Sequence, residues 1–388
     1  MLGKRFIILT VIALSSALVA VLVAGCGGAG EGASTVTTVP ASSGADVAYA
    51  KAELDKIRSL PTFKAPGPAF DAKKLMEGKK ILGIPASSAN PFTKTIEDGI
   101  KPIAKEVGFE FMEWENQAQP AQWVQGVEYG INQKYDLIEL LSGADPRVLG
   151  PQIDAAKAAG IKVISTHVSG FEQTIPSVDE NLAIDYRKAG RLLADWVIWK
   201  TGGKANVLVL SSDEIQSSAS MIGGIKDEFA TKGGAGCKQT FVNVSLPDWS
   251  TKIQQSVQSA IIKDPTLNYV IPIYDSMSQF VVPAIETTHS SDQVKIVTFN
   301  GTPFVLGLLQ QGKVEMDIGE NLDWVSHAIA DDEMRLLGGL PWVKNENIPF
   351  YLWDSSNVAN AGNPPRQSTG YGDAYKAGYD QLWGLSQK

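Results

Sequence analysis

Apolar and polar positions follow one another in a rhythm that begins at Lys79 and predicts strands followed by helices. In the first unit, the apolar run 81–84 predicts a buried strand. Apolar residues then recur from Ile96 at i, i+4, i+7, i+8 and i+11, which is the spacing of one helix face. Asn90-Pro91 is typical of a helix start, and Gly108 of a helix end. The unit is therefore predicted to be a strand–turn–helix with a polar turn after its strand.

Two series of such units follow one another along the chain, and a predicted helix at 185–199 separates them. The helices of the first series are predicted to begin at Pro91, Pro120 and Pro146. Alternation of this kind is typical of parallel α/β sheets, so two similar lobes are expected. The predicted strands are 81–84, 109–114, 135–140 and 161–166 in the first series, and 206–210, 240–244, 269–273, 295–299 and 314–318 in the second.

Most predicted strands end in polar or aromatic residues. Ligands bind at the carboxyl ends of the strands in open α/β sheets. The pattern therefore predicts a cleft lined by the loops between strands and helices. The residues at these ends are Ser87-Ser88, Ser142, Thr166-His167, Ser211-Ser212, Tyr274-Asp275 and Asn300.

The first 26 residues have the pattern of an export signal. Two basic residues precede a mostly apolar, uncharged stretch over 6–24, and Val23-Ala24-Gly25-Cys26 resembles a bacterial lipobox. The resemblance implies cleavage after residue 25 and acylation of Cys26. A retained membrane helix is the alternative, because the stretch is long enough for a marginal span. The Gly/Ser/Thr/Ala tract 27–44 favours the lipoprotein, with a flexible tether and arm over 26–76.

Composition and motifs exclude several functions. The net charge of −8 and the absence of a Lys/Arg run argue against binding to nucleic acid. The sequence has no G-x-S-x-G elbow, H-E-x-x-H, P-loop or Cys–His metal spacing, so no enzyme, cofactor or metal site is predicted. With Cys26 acylated, Cys237 has no partner for an intramolecular disulfide.

Six motifs, in order, resemble the type I periplasmic solute-binding proteins of sugar ABC importers, the ribose-binding group. The resemblance covers residues 79 to about 353. It implies an α/β fold of two Rossmann-like lobes joined by a three-strand hinge, with lobes at 79–184 plus 321–350 and at 186–318 plus 353–388. The hinge crossings are expected near 184–186, 319–321 and 350–354. The motifs are Ser88-Ala-Asn-Pro-Phe92, Gly99 with Ala104 and Gly108, the segment 155–164, Asp185 with Ala189-Gly190, Leu246-Pro-Asp-Trp249, and Phe299-Asn-Gly-Thr-Pro303.

The resemblance also implies a set of ligand-binding positions. Two aromatic residues from different lobes are expected to sandwich a sugar ring, and the polar residues to bind its hydroxyls. For five of them a structural role stays open. Asn90 and Asp185 can cap helices, and Glu320 can pair across the hinge. Phe92 can pack under its turn, and a lone histidine such as His167 is more often structural. The positions are Ser88, Asn90, Phe92, Ser142, His167, Asp185, Trp249, Tyr274, Asn300 and Glu320.

Departures from the family pattern bear on the ligand. The Asp-Arg pair after the fourth strand is replaced by His167-Val168, and the second-lobe arginine falls in 220–222, where there is none. Asn300 stands for an aspartate and Glu320 for a glutamine. Without arginine forks, a neutral sugar or polyol other than ribose is expected rather than an acid or phosphate.

The expected function is an extracytoplasmic, membrane-anchored lipoprotein that binds its ligand as a monomer and passes it to an ABC permease. A lipoprotein receptor that presents its ligand to a membrane sensor is the alternative. A transcriptional regulator shares the implied fold, but the export signal excludes it. The resemblance fades over 351–388, and no function is predicted there.

Overall fold

The computed structural model describes residues 44–385. The predicted export signal and Cys26 lie outside the described residues, which belong to one compact unit. In the described part of the chain, no helix has both the length and the apolar character needed to cross a membrane.

The first sheet is parallel and is formed by the strands of the first predicted series plus one short strand. Its order is β2-β1-β3-β4-β5. The strands are β1 Lys80–Pro85, β2 Glu110–Glu113, β3 Leu137–Leu141, β4 Lys162–Thr166 and β5 Glu180–Leu182.

The second sheet has six strands in the order β11-β10-β9-β8-β6-β7. Five run parallel, and β11 pairs antiparallel with β10, with Glu320 opposite Phe350. The two sheets confirm the predicted two-lobed α/β fold, with this one antiparallel exception. The strands are β6 Asn206–Ser211, β7 Lys238–Asn243, β8 Tyr269–Pro272, β9 Lys295–Asn300, β10 Met316–Glu320 and β11 Phe350–Asp354.

Helices cover both sheets. The main contacts between helices are of α3 with α11 on the first lobe, and of α6 with α7 on the second. The helices are α1 Val47–Asp55, α2 Ala72–Met76, α3 Pro91–Val107, α4 Pro120–Asn132, α5 Gly150–Ala158, α6 Tyr186–Thr201, α7 Gln216–Lys232, α8 Trp249–Lys263, α9 Ser278–Thr287, α10 Pro303–Gln310, α11 Leu322–Gly338 and α12 Ala374–Leu382.

Helix α3 forms as its sequence predicts. The Asn90 side-chain oxygen accepts a hydrogen bond of 2.9 Å from the Phe92 N–H, and Gly108 ends the helix at φ 103°. The apolar face is buried at Ile96, Ile100 and Ile103. Cap, first-turn proline and terminal glycine therefore fix the polar turn at the carboxyl end of β1.

Three expectations need correction. Helix α5 begins at Gly150 rather than Pro146, because the Asp145 carboxylate accepts from the Arg147 N–H at 2.8 Å and holds a turn there. The described part of the predicted tether and arm is not an extended linker, since α1 and α2 pack on the body through buried residues. The last helix of the tail, α12, packs on α11, so it lies with the first lobe rather than the second.

Candidate functional site

The carboxyl ends of both sheets meet at a small cavity of about 20 Å³. That is room for about one water, whereas ligand pockets are typically ~300–1,000 Å³. The lobes are thus closed on each other in this structure. Six of the ten predicted site residues line the cavity, together with four that were not predicted; the full lining is Ala86, Asn90, Phe92, Ser142, Ile215, Leu246, Trp249, Tyr274, Ser276 and Asn300.

Trp249 forms the second-lobe wall of the cavity and is only 5% exposed. Its indole N–H donates to the Ser212 hydroxyl at 2.8 Å, and its ring stacks on Tyr274 with centroids 6.3 Å apart. The Tyr274 hydroxyl is hydrogen-bonded in turn to Ser217 and Ser218. Both aromatic rings are therefore held in place by their polar edges.

Phe92 forms the opposite wall and packs on His167, with ring centroids 5.7 Å apart. His167 and Ser142 both have left-handed backbones, at φ 56° and 53°, although neither is glycine. Such conformations in non-glycine residues cluster at ligand sites and switch regions. Both residues directly follow first-lobe strands, so this geometry lies at the edge of the sheet that faces the second lobe.

His167 and Glu320 meet behind the cavity and do not line it. Both side chains are fully buried, and His167 Nε2 lies 3.6 Å from Glu320 Oε1. Neither ring nitrogen of His167 has a hydrogen-bond partner, and Glu320 Oε1 has none. Glu320 thus faces a first-lobe residue across the hinge, which is the structural role that the sequence left open.

Three carboxylates, Asp275, Asp317 and Glu320, lie under the second-lobe side of the site and are called here the hinge cluster. Asp275 accepts from the Thr302 N–H at 2.7 Å and from its hydroxyl at 2.8 Å. Glu320 accepts from the Asn300 amide at 3.4 Å. Burial raises the pKa of Asp275 to about 7, and burial together with the charge of Asp275 raises that of Asp317.

Two further predicted site residues, besides His167 and Glu320, do not reach the cavity. Ser88 lines a separate surface depression, where its hydroxyl accepts from the Asn116 N–H at 3.0 Å. Asp185 caps α6 by accepting from the Lys188 N–H at 3.1 Å, and lines a groove beside Phe350. In both cases the position is at a strand end or helix start, but the side chain points elsewhere.

Sequence reasoning missed Ala86, Ile215, Leu246 and Ser276. The hydroxyl of Ser276 donates to Asn90 Oδ1 at 3.2 Å and so joins the two lobes directly. Its place next to the Tyr274-Asp275 strand end was a usable signal. The three apolar residues carried no signal that separates a cavity wall from an ordinary core position.

Further hydrogen bonds join the lobes at the mouth of the cleft. Arg147 donates to the Glu214 carbonyl at 2.7 Å, and the Gln173 amide to the Gln216 carbonyl at 2.9 Å. The Ser220 hydroxyl also bonds the Glu172 carboxylate. These contacts close the cleft around its rim.

The lining of the cavity includes neither lysine nor arginine. Among residues 44–385, no group of three or more His, Cys, Asp or Glu side chains is arranged to hold a metal ion. The arrangement can therefore offer aromatic faces, amides and hydroxyls to a ligand.

Two α/β lobes that close on a cavity at their strand ends define a binding protein. Residues 81–340 match the family model described as a periplasmic binding protein domain, and the chain belongs to this family. The predicted family is thereby confirmed.

Similar curated proteins include the D-ribose/D-allose-binding protein of Pseudomonas aeruginosa, 25% identical over 61% of this chain and 76% of that protein. The ribose import binding protein RbsB of Escherichia coli is 24% identical over 64% of this chain and 82% of its own length.

Solved structures share the fold. An ABC transporter solute-binding protein from Agrobacterium vitis, bound with α-D-tagatopyranose, has a TM-score of 0.64 at 19% identity, over 73% of this chain and 96% of its own. The Caulobacter myo-inositol binding protein has a TM-score of 0.63 at 18% identity, over 74% and 96%. About a quarter of this chain therefore has no counterpart in either structure.

Proposed function

We propose that this chain is the extracytoplasmic binding component of an ABC importer and captures a neutral sugar or polyol between its lobes. The observation that carries the proposal is the cavity itself. Phe92 and Trp249 approach it from different lobes, and amides and hydroxyls supply the remaining polar wall. This class of ligand is supported by the names of similar proteins, which include ribose, allose, tagatopyranose and myo-inositol.

The chemistry of the cavity suits a polyhydroxylated ring. The apolar C–H faces of a sugar can pack on the two aromatic rings, because an aromatic side chain offers a large, flat and rigid apolar face. Asn90, Asn300 and Ser142 offer donors and acceptors to hydroxyls. A site of this kind rejects analogues that lack a hydroxyl, because its buried polar groups are left unpaired.

The electrostatics favour a neutral ligand over an anion. A buried phosphate or carboxylate needs a cationic partner, and the cavity lining contains neither lysine nor arginine. Asp275, Asp317 and Glu320 lie behind the site and repel an anion when they are ionised. A sugar acid or sugar phosphate would therefore bind at a large energetic cost.

Binding requires the lobes to open and then close about the hinge. The proposed lobes are 79–184 plus 321–350 and 186–318 plus 353–373, with α12 assigned to the first. A ligand shifts this equilibrium only through its greater affinity for the closed form. The rim contacts of Arg147 and Gln173 are made in that form.

The proposal also includes membrane attachment through acylated Cys26. It keeps Ser88 and Asp185 as ligand-binding residues that reach the ligand only in another arrangement of the lobes. Mass spectrometry of the protein from its native membrane tests the first point. A mass that includes diacylglycerol on Cys26 is expected. A protein that still carries residues 1–25 would contradict lipid attachment at Cys26. No feature of the described residues favours the alternative of a receptor for a membrane sensor.

A thermal-shift screen of residues 27–388 tests the ligand class. D-allose, D-tagatose, allitol and myo-inositol are the neutral probes, and ribose 5-phosphate and gluconate are the charged ones. A ligand at ~100 times its Kd stabilises the folded protein by about 2.7 kcal/mol. We expect a shift with at least one neutral probe; a shift with the charged probes alone would overturn the proposal.

Trp249→Ala tests the aromatic wall. Calorimetric affinity for the best probe is expected to fall at least ~30-fold, since a buried aromatic contact of this kind contributes about 2 kcal/mol or more. Trp249→Phe retains a ring and separates lost contact from lost folding. Trp342→Ala is the matched control, because Trp342 is 46% exposed and lies outside the cavity lining. Unchanged affinity in Trp249→Ala would contradict the sandwich.

A further inference from the structure

Two terminal segments lie outside the 81–340 match, and each contacts both lobes. They are called here the N-terminal strap, residues 45–79, and the C-terminal strap, residues 355–385. Neither strap contributes a residue to the lining of the cavity described above. Their contacts follow a common order along each strap: an anchor on the second lobe, a contact at the hinge strands, and an anchor on the first lobe.

The N-terminal strap starts on the second lobe. Helix α1 packs on α6 through the fully buried Ala50 and Leu54, and the Asp46 N–H donates to the Lys232 carbonyl at 2.8 Å. At the hinge, the Ile57 carbonyl accepts from the Leu352 N–H of β11 at 2.9 Å. The strap is therefore tied both to the second lobe and to the hinge.

The same strap then crosses to the first lobe within a few residues. Arg58 forms an ion pair of 2.8 Å with Asp354 at the end of β11. Phe63 packs on Trp324 of α11, with ring centroids 5.9 Å apart. Only residues 59–62, which include the stiff Pro61, separate these two anchors.

The C-terminal strap makes the same crossing. On the second lobe, the Gln310 amide of α10 donates to the Val358 carbonyl at 3.1 Å and to the Gly362 carbonyl at 2.8 Å. On the first lobe, the indole N–H of Trp383 donates to Asp331 of α11 at 2.7 Å. The two straps are also joined to each other, because the Phe70 N–H donates to the Leu382 carbonyl at 2.8 Å.

Between these anchors, Tyr371 is inserted directly behind the binding site. Its hydroxyl lies against Gly301 and Gly319, where a Cβ atom on either glycine would collide with it. Gly301 follows Asn300 and Gly319 precedes Glu320, so one side chain supports the strand ends that carry both site residues. Its ring packs edge-on against Trp353 of β11 at 5.0 Å, and it is 1% exposed.

We propose that the two straps restrain the opening of the cleft and that Tyr371 positions Asn300 and Glu320. The three hinge crossings alone permit rotation of the lobes. The anchors of the N-terminal strap at Arg58 and Phe63 are linked by residues 59–62 alone, so they must break or stretch when the cleft opens. A larger population of the closed form follows in the ligand-free protein. Its effect on affinity rests on the proposed function, since the apparent Kd equals the intrinsic Kd divided by the competent fraction.

Inter-lobe distances test the restraint without any ligand. Spin labels are attached to Ala158→Cys on the first lobe and Ser259→Cys on the second, in residues 27–388 with Cys237→Ser. Double electron–electron resonance of Arg58→Ala/Phe63→Ala should show a longer and broader distance distribution than the parent. The matched control is Arg187→Ala/Phe241→Ala, which removes an ion pair and a half-buried ring within the second lobe alone. A distribution equal to the parent, or an equal change in the control, would overturn the proposal.

Hydrogen exchange tests the role of Tyr371. Tyr371→Ala should accelerate exchange at the amides of Gly301, Thr302 and Glu320 at least ~10-fold, while the amides of β3 in the first lobe stay protected. Tyr371→Phe retains the ring and should restore most of the protection. Uniform acceleration in both lobes would mean general destabilisation and would refute the positioning role, as would unchanged exchange. Because neither measurement uses a ligand, failure of the strap proposal remains distinct from failure of the proposed function.

Discussion

Two of the groups of buried carboxylates in the molecule are held in different ways. The first-lobe cluster is Glu97 of α3, Glu139 of β3 and Glu333 of α11, all fully buried. Five of its six carboxylate oxygens lack a hydrogen-bond partner; the exception is Glu139 Oε1, which accepts from the Thr166 hydroxyl at 2.6 Å. In the hinge cluster, by contrast, only Asp317 Oδ2 and Glu320 Oε1 lack a partner.

The difference indicates two roles. Hydrogen bonds that converge on the hinge cluster tie the loops around Asn300 and Thr302 to the strand ends, so its carboxylates position the binding site. The first-lobe cluster accepts a single hydrogen bond, from Thr166, and desolvation without further donors favours its neutral, protonated form. Burial raises the pKa of Glu139 to about 7, and burial with repulsion from neighbouring carboxylates raises those of Glu97 and Glu333 well above the usual range.

The largest expected effect is a loss of stability as the pH rises. A carboxyl group with a raised folded-state pKa contributes stability that is complete below its unfolded pKa of ~4.3 and is lost as the pH rises through the folded value. For Glu139 alone, a folded pKa of about 7 corresponds to about 3 kcal/mol between pH 4 and pH 8. Urea unfolding should therefore give a lower free energy of unfolding at pH 8 than at pH 5. Greater stability at pH 8 would mean that the carboxylates of the cluster are ionised and that neighbouring groups stabilise their charge.

Glu139→Gln should then stabilise the protein at pH 8 by up to about 3 kcal/mol and change little at pH 4. The amide is neutral at both pH values, and its oxygen can still accept from Thr166. Urea unfolding at the two pH values measures the difference. Glu106→Gln is the control, because Glu106 is an exposed residue of α3. Destabilisation by Glu139→Gln at pH 8 would show that the carboxylate is needed in its charged form.

Asp275→Asn makes the same chemical change in the hinge cluster and should stabilise the protein less at pH 8 than Glu139→Gln does. Burial raises the pKa of Asp275 to about 7 as well, but a lost hydrogen bond offsets the gain from a neutral side chain. Both Asp275 oxygens accept hydrogen bonds from Thr302, and asparagine has only one side-chain oxygen that can accept. One buried donor is left unpaired, at a cost of about 2 kcal/mol at pH 8. Urea unfolding with the exposed Asp292→Asn as control measures this cost. A stabilisation as large as that of Glu139→Gln would remove the distinction between the two clusters.

The sequence predicted the strands and the site edge because both depend on local patterns. Periodicity located β1 and α3, and polar strand ends located Asn90 and Asn300. Side-chain direction at such an end depends on the neighbouring turn, which is why Ser88 and Asp185 were expected at the ligand and lie apart from the cavity.

The burial of these carboxylates could not be predicted from the sequence for another reason. Glu97 and Glu139 occur in segments with otherwise ordinary patterns, and an acidic residue is normally assigned to the surface. The straps were missed because their contacts join residues hundreds of positions apart, such as Arg58 with Asp354. Only tertiary structure brings these groups together.

The smallest expected effect concerns Lys101, the cation at the edge of the first-lobe cluster. Its side chain is 43% exposed and lies 3.0 Å from Glu113, and its charge lowers the pKa of Glu97 without offsetting burial. Lys94 lies 3.8 Å from the same Glu113 carboxylate and remains in the variant, so Lys101→Met should cost less than ~1 kcal/mol in the free energy of unfolding. Lys105→Met, an exposed lysine on the same helix, is the control for urea unfolding at pH 8. A loss of several kcal/mol confined to Lys101→Met would identify this lysine as the counter-ion of ionised carboxylates and would contradict their neutral state.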